Sequence, residues 1–335
     1  MRKYLKKVSA YTIILSLIVA LPALNSNAQS DNIFTPTGKP FALVFSDVNY
    51  SLNKAGNSMA FEITRAYLGY EYFFSKNISS KVNIDVADPG AGKLMMTAII
   101  KNAFVQFKNN NFSIRMGMIS TDQFSLQEKQ WGYRYIYKSF QDAYNFGPSA
   151  DLGAAIEFSP AKIISLDFSV LNGEGYKRIQ LDSTFKTTFG LTLKPVKGLI
   201  IRGYYDIMKN RFAQTSTALF TGYTIKTFRA GIEYNIQKNN GMIYGNNFSG
   251  ISIYSSLGIS EKFSIFTRYD NLKSSVPGNM TEPWNKNKDG QLFLAGLDYL
   301  PVKGVKIAPT FLEWIPYDKL KYAASTFALN VEIRF

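Results

Sequence analysis

The chain has 335 residues, 38 of them lysine or arginine against 24 acids for a formal charge of +14, and it contains neither cysteine nor histidine. Without those two residue types there is no Ser-His-Asp or Cys-His nucleophile, no imidazole metal or haem site and no disulfide, so the chain is not expected to be an enzyme or to carry a cofactor. Aromatics reach 15%, with 21 Tyr and 26 Phe at near-neutral mean hydropathy, a balance unusual for a soluble protein but suited to the interfacial girdles of a membrane β-barrel.

The first element is a basic run (Arg2, Lys3, Lys6, Lys7), followed by an apolar stretch over 11–24 and Ser26-Asn27-Ala28. This is the pattern of a cleaved secretory signal peptide over 1–28, and the apolar part is short for a membrane anchor. Removing it takes four positive charges, leaves +10, and leaves a domain over 29–335 with no further apolar run long enough for a transmembrane helix. Export makes nucleic acid an unexpected partner and the Gram-negative outer membrane the expected location.

Segments of about ten residues with apolar and polar side chains in alternation then recur to the last residue. Period two is the strand signal. The segments run over 40–52, 58–74, 78–87, 95–108, 111–120, 148–158, 162–171, 184–194, 198–208, 215–225, 227–237, 248–258, 262–272, 291–300, 304–315 and 324–335. The spacing predicts about sixteen strands, with fourteen and eighteen as the neighbouring even counts. The weakest is 215–225, because Lys226-Thr227 is a poor turn signal. Short links, such as 75–77, 109–111, 159–161, 195–198 and 301–304, alternate with longer ones, such as 87–94, 172–183, 209–215, 238–247 and 273–290. That alternation predicts an all-β, transmembrane, antiparallel up-and-down barrel.

One link differs. The segment 121–147 after the fifth strand is the longest, with helix propensity around 125–131. Loops of this length are usually functional. It either packs outside on the rim or folds into the lumen, and an inward loop setting a constriction is the expectation.

Charged strand residues should face inward, because Arg or Lys at the lipid midplane costs about 2–4 kcal/mol. The lumen is then of mixed sign, and basic rings favour anions. Pore-lining or constriction candidates are Arg65, Arg115, Arg134, Lys138, Lys186, Arg202, Arg229 and Arg268, each of which could instead brace the wall through an ion pair. Tyr70, Tyr72 and Phe73, and Tyr234, Tyr254 and Tyr299, read as girdle anchors, and Tyr133, Tyr135 and Tyr137 as a small loop strand or a stacking slide. Asp85, Asp88 and Glu71 lack calcium-loop spacing, so no metal site is expected. In the last strand Phe327, Leu329, Val331, Ile333 and Phe335 share one face. A terminal Phe335 closing such a strand looks like the signal read by the barrel-assembly machinery.

Arg65-Ala66-Tyr67-Leu68-Gly69-Tyr70, Asn102-Ala103-Phe104-Val105-Gln106-Phe107, Arg115-Met116-Gly117 before the long loop, Leu171-Asn172-Gly173-Glu174-Gly175 and the terminal Phe335 together resemble the phosphate-selective porin O and P family. The resemblance implies a 16-stranded porin, usually a homotrimer, with an inward constriction loop. The function expected is passive diffusion of small hydrophilic solutes with an anion or phosphate preference. A non-conducting structural or adhesion barrel and a ligand-specific uptake channel are the alternatives. Expected partners are outer-membrane lipid and lipopolysaccharide, the assembly machinery, and small solutes or anions.

Overall fold

The period-two segments fold as strands in the order in which they occur. In the computed structural model, which describes residues 34–54, 56–87, 96–278 and 280–335, they are β1 (Thr37–Asn53), β2 (Ser58–Phe73), β3 (Ile78–Ala87), β4 (Thr97–Lys108), β5 (Phe112–Ser120), β6 (Ala150–Ala161), β7 (Ile164–Leu171), β8 (Lys186–Leu193), β9 (Leu199–Lys209), β10 (Ala213–Ile225), β11 (Phe228–Lys238), β12 (Phe248–Gly258), β13 (Phe263–Ser274), β14 (Gly290–Val302), β15 (Val305–Pro316) and β16 (Ala324–Arg334). Each pairs antiparallel with its sequence neighbours, and β1 pairs with β16 from Leu43↔Arg334 to Asn53↔Ala324, so the sheet closes with no free edge. The leader expected over 1–28 lies outside the described residues.

Closure is what makes a spanning sheet tolerable in lipid, because every backbone donor and acceptor finds a partner within the wall. The alternation then sorts side chains by medium. On β16, Asn330 and Glu332 are buried inside while Phe327 and Leu329 stand outside, 49% and 45% exposed. Leu68, Val82, Val105, Met116, Phe168, Leu219, Ile232 and Ile253 are likewise exposed on the outer face, an arrangement that suits hydrocarbon and not water.

Connections at the end that holds β1's start and β16's end are short, the tightest being 162–163, 226–227 and 303–304. Longer ones occur at the other end, chiefly 121–149, 172–185 and 275–289. Two expected links move. The break placed at 159–161 is strand, because β6 runs on through Pro160 to Ala161, and the loop placed at 209–215 shrinks to 210–212 because β9 and β10 pair up to Lys209↔Ala213. The turn after β10 has a weak signature because Lys226 itself takes the left-handed conformation, φ 49°, usually left to Gly or Asn.

One girdle assignment is corrected. Tyr254 lies on the inner face, 4% exposed, with its ring 5.2 Å from that of Trp131. Its neighbours on that face are Gly250, Ser252 and Ser256, and this row of small residues leaves room for an aromatic from the long connection. Tyr234, one strand away, is on the outer face as expected.

Candidate pore

The connection 121–149 carries two short helices, α1 (Ser125–Trp131) and α2 (Phe140–Ala143). α1 stops at Gly132, whose left-handed φ of 74° lets its N–H close on the Glu128 carbonyl at 2.9 Å. From there the chain is held by the inner face of the wall. Trp131 packs edge-on against Phe266 and Tyr254, Tyr133 stacks on Phe266 with centroids 4.3 Å apart, and Tyr135 meets Phe45. A second cluster joins Phe140, Tyr144 and Phe146 to Phe248 and Leu272. The three alternating tyrosines are thus neither a loop strand nor a stacking slide. Tyr133 and Tyr135 are 3% exposed, and Tyr135 donates its hydroxyl to Asp298.

Polar tethers fix the same segment. Gln130 Nε2 donates to Thr224 Oγ1 at 3.0 Å and to the Ala230 carbonyl at 3.2 Å, Gln237 Nε2 donates to the Phe146 carbonyl at 2.7 Å, and the Trp131 indole closes on the Tyr137 carbonyl at 2.9 Å. Arg202 and Arg268 each do two jobs. Arg202 forks onto Asp167 at 2.6 and 2.9 Å and donates to the Asp122 carbonyl at 2.8 Å; Arg268 forks onto Asp270 at 2.8 and 2.7 Å and donates to the Lys138 carbonyl at 2.7 Å. Such forked, charge-assisted bonds are the strong ones.

The eight candidates therefore separate by environment. Lys186, 3.4 Å from Asp206, together with Arg202 and Arg268, is buried in wall ion pairs. Arg229 lies over the Tyr133 ring at 5.1 Å. Arg65 reaches Asp85 at 2.6 Å, Arg115 Nη2 donates to both carboxylate oxygens of Asp122 at 2.8 and 2.6 Å, and Arg134 bridges Glu128 and Asp142 at 3.2 and 3.1 Å. Lys138 joins Arg65 and Arg134 around a cavity of about 350 Å³ at the long-loop end. Burial lowers the Lys138 ammonium pKa below the ordinary lysine value, and Asp142 partly offsets this.

At the short-turn end lies a larger cavity, about 760 Å³, between α1 and the inner faces of β3 to β9. Seven cations line it, Lys81, Lys101, Lys108, Arg115, Lys129, Lys194 and Arg202, against four carboxylates, Asp122, Glu128, Glu157 and Asp167. Lys101, Lys108, Lys129 and Lys194 have no ion-pair partner among the described residues. These four were missed in the sequence. Lys108 and Lys194 look like turn residues there, and Lys101 faces inward only because it bulges out of the β3–β4 register between Asn102 and Ile100. On the opposite mouth, Asp47 and Glu62 are register partners on β1 and β2, with no ion pair among the described residues. Asp85 is occupied by Arg65 and the Tyr176 hydroxyl, and no group of three metal-ligating side chains occurs among the described residues.

No family model and no curated protein matches the sequence. Solved structures do match in fold. The outer membrane channel DcaP of Acinetobacter baumannii aligns with a TM-score of 0.69 at 13% identity, over 92% of this chain and 100% of that one. OmpF of Salmonella typhi, in complex with daunomycin, aligns at 0.69 and 11%, over 89% and 97%. An anion-selective porin from Comamonas acidovorans aligns at 0.62 and 9%, over 90% and 100%. At these identities the likeness is one of fold: this chain has the closed-barrel architecture of those outer-membrane proteins.

Proposed function

We propose that this chain is an outer-membrane porin that passes small hydrophilic solutes by diffusion, with a preference for anions. The observation that carries the reading is the lumen cavity whose seven cations outnumber its four carboxylates, with four of the lysines free of ion pairs among the described residues. Basic groups facing water in a lumen favour anions in transit. The architecture shared with a protein described as an outer membrane channel and another described as an anion-selective porin supports it. In this reading 1–28 is a cleaved leader, Phe335 is the assembly signal, and 121–149 folds into the lumen and narrows it toward β3 to β9. Three copies assemble as the resemblance implies. Phosphate is one anion that such a path would pass.

Reconstitution in planar bilayers tests it. Ohmic conductance is expected in 1 M KCl, and a KCl gradient should give a reversal potential of anionic sign that shrinks in Lys108→Glu and Lys129→Glu. A purified, folded barrel that carries no current would sink the proposal.

A further inference from the structure

β9 and β11 end on the same five-residue pattern, Tyr205-Asp206-Ile207-Met208-Lys209 and Tyr234-Asn235-Ile236-Gln237-Lys238, and β13 carries it one residue before its end, Tyr269-Asp270-Asn271-Leu272-Lys273. The second residue of each is fully buried on the inner face. Period two therefore puts the tyrosine and the lysine on the outer face of the barrel.

The three copies are level. Each tyrosine lies six residues past its strand's first residue, Leu199, Phe228 or Phe263. Through β10, Tyr205 is in register with Ile236, two residues beyond Tyr234; Leu199 is in register with Ala230, two beyond Phe228. Tyr234 and Asn271 repeat the offset through β12. The stagger of the pattern is the stagger of the strands, so the three tyrosines form one row and the three lysines another. Four residues along a strand, at about 3.3 Å each, separate the rows by roughly 13 Å, or about 10 Å along the membrane normal for a strand tilted by ~40°.

A tyrosine row on the outer face is an interfacial girdle, and a lysine row about 10 Å above it falls at the level of lipid phosphates. Lys209, Lys238 and Lys273 are exposed and none has an ion-pair partner among the described residues. Arg211 and Phe212, stacked at 5.5 Å, stand beside Tyr244 above the same sector. The sixth positions after the starts of β7 and β15 hold Val170 and Phe311 instead, and a further tyrosine-to-lysine run of this spacing at that end, Tyr50 to Lys54 on β1, places its lysine 5.2 Å over the Tyr322 ring.

We infer that the rim over β9 to β13 binds the phosphorylated glycolipid of the outer leaflet, the lysine row taking its phosphates and the tyrosine row packing its acyl chains. This rests on the outer-membrane placement proposed above and not on conductance. A charge at this level near an anionic surface acts by about fivefold per lysine, so the three together act on the order of a hundredfold.

The test uses the full-length barrel in detergent with bisphosphorylated lipid A as the probe, read as bound lipid by native mass spectrometry. Saturable binding is expected. It should fall on the order of a hundredfold in the triple variant Lys209→Gln, Lys238→Gln, Lys273→Gln, and stay unchanged when Lys162, Lys197 and Lys303 in turns at the other end are changed to Gln. Dephosphorylated lipid A should bind wild type as weakly as the triple variant binds the bisphosphate. Equal binding by wild type and triple variant overturns the inference, as does one-for-one displacement by phosphatidylglycerol. A triple variant that conducts normally but has lost lipid A supports it, whereas loss of conductance in every protein while lipid A binding persists overturns the porin reading alone.

Discussion

Lys101 illustrates how one residue escapes a pattern. Strict alternation with Val105 and Asn102 would turn it outward, but the bulge between Asn102 and Ile100 turns it in, and its ammonium ends 4.6 Å over the Tyr67 ring and 3.2 Å from that ring's hydroxyl. With no ion-pair partner among the described residues, it is a fixed positive charge beside the proposed path. Lys101→Glu changes the cavity's charge by two and should reduce the anion-to-cation permeability ratio by several-fold, read from the reversal potential. Arg202→Lys should act differently. It removes the fork onto Asp167 and the bond to the Asp122 carbonyl, so the expected change is a noisier current with little change in selectivity. Lys138 adds a pH term: because burial lowers its pKa, it loses its charge at a lower pH than an exposed lysine. Anion preference should therefore begin to fall at a lower pH in the wild type than in Lys138→Met, read from reversal potentials along a pH series. Identical pH profiles in the two proteins would exclude that role.

At the scale of elements, strands were legible and side-chain destinations were not. β3 and β12 lie where alternation places them, and α1 coincides with the helix propensity at 125–131. Within 121–149, however, a run such as Tyr133, Tyr135 and Tyr137 has the same period in a loop strand as in a coil pressed against a wall. Only the facing rings, Phe266 and Phe45 from distant strands, decide between them. Those contacts are also where the segment is vulnerable. Trp131→Ala removes a ring that is 1% exposed and should cost about 3–5 kcal/mol of loop anchoring, seen as faster proteolysis of 121–149 in the folded barrel and a higher, more variable conductance. Gly132→Ala should do the same through geometry, since an added Cβ would sit 2.3 Å from Arg229 Nη1 at a φ of 74°. Deleting most of the segment should raise conductance further, and unchanged conductance would place it away from the path.

For the whole molecule, closure through β1 and β16 follows from an even number of strands with both ends of the wall on one side. What composition could not convey is how charge is distributed along the axis. A count of mixed signs suggests a neutral average, whereas the ion pairs remove most of the acids at the short-turn end and leave Asp47 and Glu62 at the other mouth. On the porin reading proposed above, the lumen is asymmetric: lysines without ion pairs among the described residues gather at the short-turn end, whereas Asp47 and Glu62 stand with Arg65, Arg134 and Lys138 toward the other mouth. In dilute salt its current should depend on the sign of the applied voltage, as in a diode. In 1 M KCl, where screening acts over about 3 Å, the same channel should conduct equally in both directions.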